Sequence, residues 1–487
     1  MFDAGMVSQS APSYPETSMF ELFRPSRACL PARPVLLFAV WLASLAGILP
    51  VAFASDEMQN SLPVFPGAEG FGTTTRAGRG GQVIAVTSLA DDGPGTLRAA
   101  LATAGPRIIV FRVGGVIVLR DKLFIREPFV TVAGQTAPGD GITVRDFGLV
   151  IATNDVLIQH LRVRPGNHGD IDAAANDAIE MLGNRDNDDV AGAYNVVLDH
   201  VSASWAEDEV VSTWFGAHDI TISWSIISEG LNRSRHSKGD HSSGLVIGGY
   251  SDRVSVHHTL LANNHSRNPL YKHGGTHEFA DNLVYNWGAL ATDALESKPQ
   301  AFINILRNVY QPGPATYLRQ EIVVEREDRD GPPQLYVFGN FGPNIRAPRD
   351  NPWAGVFVDF SMEQAPLHYR AAQAFVTPLA RDSGGEPDPA VILAQAGARL
   401  PRRDAIDTRL VDEIHAGAGR IIDSPEQVGG YPPYASGDAA ADDDGDGMAD
   451  AWEQQVGLNP ADADDGKRDR NGDGYTNVEE YLYSLAP

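Results

Sequence analysis

The sequence predicts an all-β protein: a right-handed parallel β-helix (solenoid) with a C-terminal wrapping segment and a small calcium-binding tail. Three observations predict it. Strand-sized segments that resemble one another recur: DVLIQHLRV from Asp155, NVVLDHVSA from Asn195, DITISWSII from Asp219, RVSVHHTLL from Arg253, HEFADNLVY from His277 and QAFINILRN from Gln300. Their starts lie 40, 24, 34, 24 and 23 residues apart, irregular but with a floor, as in a solenoid whose turns carry loop insertions of different size. No helix-length pattern lies between them, which argues against a doubly wound sheet, and the intervals exceed the roughly 8–12 residues of a β-sandwich.

Taken in order, the chain opens on a leader. Residues 34–54, PVLLFAVWLASLAGILPVAFA, follow Arg24, Arg27 and Arg33 and close on Ala52-Phe53-Ala54, the small-x-small pattern of a signal-peptidase site. The expectation is a signal peptide over residues 1–54, a mature chain from near Ser55, and export, with release, surface attachment or a periplasmic location left open. The long leader also admits a start at Met19. The only cysteine, Cys29, lies ahead of the apolar run, so the mature chain has no disulfide and needs a large core or bound metal as its staple.

Residues 55–345 are assigned to the solenoid. GTLRAALATAG reads as one short amphipathic helix between the strands GGQVIAVTSL and PRIIVFRVGGVIVL. Within each repeat, alternating apolar residues point into a shared interior. Asn263, Asn264, Asn286 and Asn308, just after strands, suit bends that need left-handed backbone, or a stacked ladder. Residues 346–433 form the wrapping segment, where AAQAFVTPLARDSG and PAVILAQAGARLPRRDAIDTRLVDEIHAGAG read as helical. GGYPPYASGDAAA reads as a linker into the tail, residues 434–487.

The tail holds two 12-residue windows. Asp442, Asp444, Asp446, Gly447, Asp450 and Glu453 fill positions 1, 3, 5, 6, 9 and 12 of the first, and Asp469, Asn471, Asp473, Gly474, Asn477 and Glu480 those of the second. Calcium takes six to eight oxygens, and this loop supplies them around a glycine turn and a final bidentate Glu. The net charge is -25, of which residues 438–480 contribute -11 (fourteen Asp and Glu against three Lys and Arg). No basic face of the extent nucleic acid requires is present.

The stretch VSVHHTLLANNHSRNPLYKHGG runs from an alternating strand into Arg267, Pro269 and Lys272: two cations five residues apart across a stiff link, a plausible fixed pair for an anion. Asp199-His200 resembles a dyad, but no G-x-S-x-G is present, and a packed histidine in a solenoid turn is the expectation. Trp205, Trp214 and Trp224 could stack on sugar rings, with core packing as the default.

The segments GTTTRAGRGGQVIAVTSLADDGPGTLRAAL, TVAGQTAPGDGITV, LDHVSASWAEDEVVS, ITISWSIISEGLNRSRHSKG and HHTLLANNHSRNPLYKHGG resemble those of polysaccharide lyase family 1 pectate lyases, in particular the branch with pectate trisaccharide-lyases. The resemblance runs from about Phe65 to Pro433 and includes LPRRDAIDTRLVDEI and IIDSPEQVGGYP. The tail is similar to the EF-hand-like calcium-binding tails of secreted bacterial enzymes. The resemblance implies calcium-dependent β-elimination of polygalacturonate by a monomer without nucleic-acid or membrane partner. Arg267 matches the catalytic arginine, Lys272 the second cation, and Lys238 in HSKG the substrate-binding lysine. A guanidinium is an awkward base; nearby Lys238, Lys272 and calcium would push its pKa down, and physical chemistry equally allows a purely anion-stabilising role. Asp177 in NDAIEM and Asp208 in AEDEVVS match calcium ligands. Where the family commonly has a further Asp this chain has Ser212, and Glu209 or substrate oxygens are expected to compensate. The rivals are a β-helix hydrolase using Asp188-Asp189 or Glu207-Asp208-Glu209 as paired carboxylates, and a non-catalytic carbohydrate-binding β-helix.

Overall fold

The computed structural model describes residues 62–185, 190–326, 331–358, 368–380 and 387–486. The leader and the Asp188-Asp189 pair lie outside them. Each repeat turns twice, so the chain visits three sheets in rotation, of ten, nine and eight strands, and every strand pair is parallel. A strand returning parallel into its own sheet does so through a right-handed crossover. The fold is a right-handed parallel β-helix.

The repeats stack in one register on the ten-stranded sheet. Val156, Val196, Ile220, Val254, His277, Ile303 and Leu335 form one column, and Ile158, Leu198, Ile222, Val256, Phe279, Ile305 and Val337 the next. Nearly all are apolar and point into the lumen. His277 is the exception: it is fully buried, its ring packs 5.4 Å from that of Tyr271, and burial lowers its pKa to about 4, so it sits in the core neutral.

The corners are made by residues that tolerate left-handed backbone or are held there. His160, His200, Trp224, His258, Asp281 and Arg307 occupy one corner with φ of 48–58°. The first four stack as rings (4.9, 6.0 and 4.2 Å between centroids), and Asp281 and Arg307 continue the column as an ion pair at 2.7 Å. His200 is therefore a corner residue bonded to Asp199 at 2.9 Å. Of the asparagines expected at bends, Asn263 and Asn286 are left-handed, whereas Asn264 and Asn308 are not. Asn308 belongs to a ladder: Asn282 Nδ2 donates to Asn308 Oδ1 and Asn308 Nδ2 to Asn340 Oδ1, both at 2.9 Å. Each amide also donates to a main-chain carbonyl, so these three buried side chains are satisfied.

Two sheets have covered outer faces. Helices Pro389–Gln395 and Ala405–His415 bury Ile392, Leu393, Leu410 and Ile414 against Ile226, Leu260 and Leu283 of the eight-stranded sheet. AAQAFVTPLARDSG forms turns rather than a helix over its described residues 371–380, and Leu379 packs on Ala280 and Leu306. The stretch expected as a linker is a packed strap: Tyr431 donates to Arg164 O, and the backbone of Ala435 donates to Asp140. The tail also docks. Met448, Val478, Tyr481 and Leu482 pack on Ile108, Val110 and Ala133 of the ten-stranded sheet. On the outer face of the nine-stranded sheet, the described residues form only a small apolar cluster, Val246, Leu270 and Leu295, with Trp214 against it. That face carries the site.

Candidate functional site

Register builds the site. In the nine-stranded sheet Ile179 pairs with Val211, Val211 with Leu245, and Val246 with Leu270. The turns entering these strands therefore stack, and bring Asp177, Asp208, Glu209, His241 and Arg267 together from four coils. Arg267 has φ 61°, a strained conformation for a non-glycine residue, and its carbonyl accepts from Leu245 N at 2.7 Å. An open cleft of about 360 Å³ is lined by Lys238, Arg267 and Lys272 together with Asp208 and Glu209. The longest spacing after the first, from Asp219 to Arg253, contains the loop that carries Lys238 to this cleft.

Three carboxylates converge at one side. Oxygens of Asp177, Asp208 and Glu209 lie within 4.8 Å of one another. Burial, and then the charges of Glu209, Glu180 and Asp208, push Asp177 well above the usual carboxylate range. Ser212 donates its hydroxyl to Asp177 and Glu209 N donates to the other oxygen at 3.3 Å. Asp208 is lowered: burial opposes its charge, but the hydrogen bond with His241 (2.7 Å) and the charges of His241 and His236 outweigh it. Glu209 accepts from the Arg267 guanidinium. An all-oxygen set of three crowded carboxylates fits a hard divalent cation such as calcium.

Several site residues escaped sequence reasoning. His236 and His241 stack at 4.0 Å and both aim Nε2 at Asp208 Oδ1 (3.4 and 2.7 Å). Because Lys238 N–H donates to His236 Nδ1, the proton of that ring is on Nε2, facing Asp208. The signal available was their position on either side of Lys238. Asp293 and Glu325 also line the cleft; they lie one and two strands along the nine-stranded sheet from Leu270–Tyr271 of the recognised motif. Trp214, which core packing was expected to bury, lines the cleft with Lys272 Nζ 5.8 Å over its ring, whereas Trp205 is fully buried and Trp224 sits in the corner stack. Glu207 is committed elsewhere, to Asn176 and Arg235, and is not among the residues lining the cleft.

The tail forms three acidic groups. Asp442, Asp444 and Asp446 are together, as are Asp469, Asp473 and Glu480, and Asp446 and Glu453 are joined by Asp465, a residue outside both windows. Position-6 glycines Gly447 and Gly474 have φ of 90° and 95°, as the sharp loop turn requires. Asp450 and Asn477 are turned to the backbone instead, accepting from Asp443 N and Arg470 N. Asn471 donates to Asp473. Glu453 is fully buried with both oxygens lacking a hydrogen-bond partner, and one oxygen each of Asp444, Asp446 and Asp465 is in the same state. Such orphans fit a bound cation.

Among the described residues, carboxylates and cations converge in one cleft on a sheet face of the β-helix, the arrangement of an enzyme site for a charged substrate. Among curated proteins the chain is 34% identical over 432 residues to "probable pectate lyase C" of Emericella nidulans, covering 85% of this chain and 90% of that one. It is 33% identical over 449 residues to the protein of that name from Aspergillus terreus, covering 88% and 95%. The chain belongs to the pectate lyases, and is a polysaccharide lyase. No family model matches it. Among solved structures it is similar to a pectate lyase from Bacillus sp. N165 in complex with trigalacturonate (16% identity, TM-score 0.42, 57% of this chain and 89% of that one).

Proposed function

We propose that the chain is an exported enzyme that cleaves polygalacturonate by β-elimination with calcium as cofactor. The observation that carries this is the single cleft shared by Lys238, Arg267 and Lys272 with the carboxylates Asp208 and Glu209. In β-elimination the proton at C5 of a uronate leaves, its electron pair forms the C4–C5 double bond, the C4–O bond breaks, and the departing oxygen takes up a proton. The barrier is high because the adjacent carboxylate opposes negative charge at C5. Calcium held by Asp177, Asp208 and Glu209 would supply Lewis-acid neutralisation of that carboxylate. Lys238 and Lys272 bind and orient the polymer as point charges. Arg267, held by Glu209, faces the reacting ring; by family resemblance its neutral guanidine would take the C5 proton, and the guanidinium so formed stabilises the enolate-like anion. His236 and His241 hold Asp208 in place.

The test is ultraviolet absorbance of the conjugated product from polygalacturonate, which hydrolysis does not generate, with calcium and with chelator. Product only in the presence of calcium supports the reading; reducing ends without absorbance overturn it. Ser212→Asp would place a fourth carboxylate beside Asp177. The calcium concentration giving half-maximal rate is then expected to fall by about tenfold, equivalent to roughly 1.4 kcal/mol, measured by calcium titration of the initial rate.

The tail is proposed to bind calcium through Asp442, Asp444, Asp446, Glu453 and Asp465 in one loop and Asp469, Asn471, Asp473 and Glu480 in the other, fastening it to the solenoid. Burial, then neighbouring acids, raise Asp446 to about 6 and Glu453 to about 7. Acids raised in the folded state hold protons that the unfolded chain has released. Metal-free stability therefore falls as pH rises from about 4 to about 7, and a cation offsets this only once the acids are ionised. Chelator should thus lower the thermal midpoint more at about pH 8 than at about pH 5, and Glu453→Gln should shrink that difference. Truncation after Tyr434 is a poorer probe, because it uncovers Ile108, Val110 and Ala133.

A further inference from the structure

The turns entering the nine-stranded sheet carry the site: Asp208 and Glu209 in one coil, Ser266 and Arg267 in a later one, Leu290 in the next. One coil further on, the turn entering the strand Ile322–Glu325 presents Tyr317, Leu318 and Arg319. Tyr317 is 64% exposed, more than any other Phe, Tyr or Trp among the described residues. Its position is nevertheless fixed. Tyr317 N and Leu318 N donate to Gly288 O at 3.2 and 3.4 Å, and the buried Trp287 indole donates to Leu318 O at 2.7 Å. The phenol leans back across the coil of Leu290, its Oη 2.9 Å from Nε2 of His265 in a hydrogen bond. The backbone N–H of His265 donates in turn to Ser242 Oγ at 3.1 Å. His265 immediately precedes Ser266, which lines the cleft, so the ring stands at the rim of the cleft, on the side of Arg267. Arg319 is exposed, and none of the ion pairs among the described residues includes it.

Resting on the lyase reading above, we propose that Tyr317 is a stacking platform for a uronate ring of the polymer beyond the ring that reacts, with Arg319 attracting the carboxylate of that outer ring. An aromatic face already held by its surroundings loses little side-chain entropy when a sugar ring is laid on it. A guanidinium without an acid partner is a ready donor to a carboxylate. The cleft pairs a ring and a cation once already, Lys272 Nζ lying 5.8 Å over Trp214. The rim extends that chemistry along the stack of turns.

The experiment follows unsaturated product from polygalacturonate by the full chain at saturating calcium, with the thermal midpoint of each variant as a control for folding. Tyr317→Ala is expected to raise KM about tenfold and to change kcat by less than about twofold, because the platform touches a ring at which no bond breaks. Tyr317→Phe should keep KM near that of the unaltered chain, since a ring face and not a hydroxyl is used. Arg319→Ala should raise KM roughly threefold at low salt and have no effect at high salt; an effect of the same size at both overturns the role given to Arg319. An unchanged KM in Tyr317→Ala overturns the inference while leaving the lyase reading intact. A loss in Tyr317→Phe as large as in Tyr317→Ala also overturns it, and makes the phenol a tie to His265 that holds the turn of Arg267. A fall confined to kcat does the same. Absence of unsaturated product from the unaltered chain overturns the lyase reading alone. Calorimetry of polygalacturonate binding then decides the platform: tenfold weaker binding by Tyr317→Ala supports it, and equal binding overturns it.

Discussion

Arg267→Ala is expected to lower kcat on polygalacturonate by about a thousandfold or more, a barrier increase of roughly 4 kcal/mol. The guanidinium is the cleft cation that both faces solvent and is fixed by a buried carboxylate, Glu209, so its loss removes charge stabilisation aimed at the anion rather than a general attraction. Arg267→Lys keeps one charge but loses the planar fork, and a smaller loss, about ten- to a hundredfold, is expected. The measurement is steady-state ultraviolet kinetics, with the thermal midpoint as a control for folding. A thousandfold fall in both variants would mean that the arginine's geometry matters more than its charge; a loss confined to KM would reduce Arg267 to a binding residue.

The largest stability effect is expected at Arg164, far from the cleft. Its side chain is fully buried and pairs with Asp404 and Asp407, each at 2.7 Å. Asp404 is also the N-cap of helix Ala405–His415, and Ser202 of the solenoid donates to Asp407. This buried network joins the wrapping segment to the eight-stranded sheet. Removing one partner of such a network leaves buried charge uncompensated and costs about 3–5 kcal/mol. Arg164→Ala should therefore lower the urea midpoint strongly, and the added substitutions Asp404→Asn and Asp407→Asn should restore part of the loss; strict additivity would show that the three do not act as a network. Burial alone would raise Asp404, but the charges of Arg164 and Arg162 hold it at about 2. For an acid held low in the folded state, the contribution is full above its ordinary pKa and is lost as pH falls toward 2.

The stacking of coils was legible because its signal is local: a repeat with alternating apolar residues has one way to bury them, and the six segments fall into one register. The three cations and the carboxylates of the cleft were legible through ordered motifs. Asn308 as a ladder residue was open to reading, but the left-handed corner beside it, at Arg307, was not, since nothing local marks an arginine for positive φ. The role of Trp214 was missed because alternation assigns a face and does not say whether that face is covered.

The sequence by itself determined the solenoid, the identity of its inward columns, the cleft's basic residues and the two acidic tail loops, all properties of side-chain type and short-range spacing. Only the tertiary structure decided which sheet face the described residues leave open, that the supposed linker and tail are packed straps, that Asp465 joins the first tail loop while Asp450 and Asn477 serve the backbone, and that Asp293 and Glu325 line the cleft. These depend on which coils stack side by side and on what covers them, and contacts between residues tens to hundreds apart leave no mark in the local pattern of either partner.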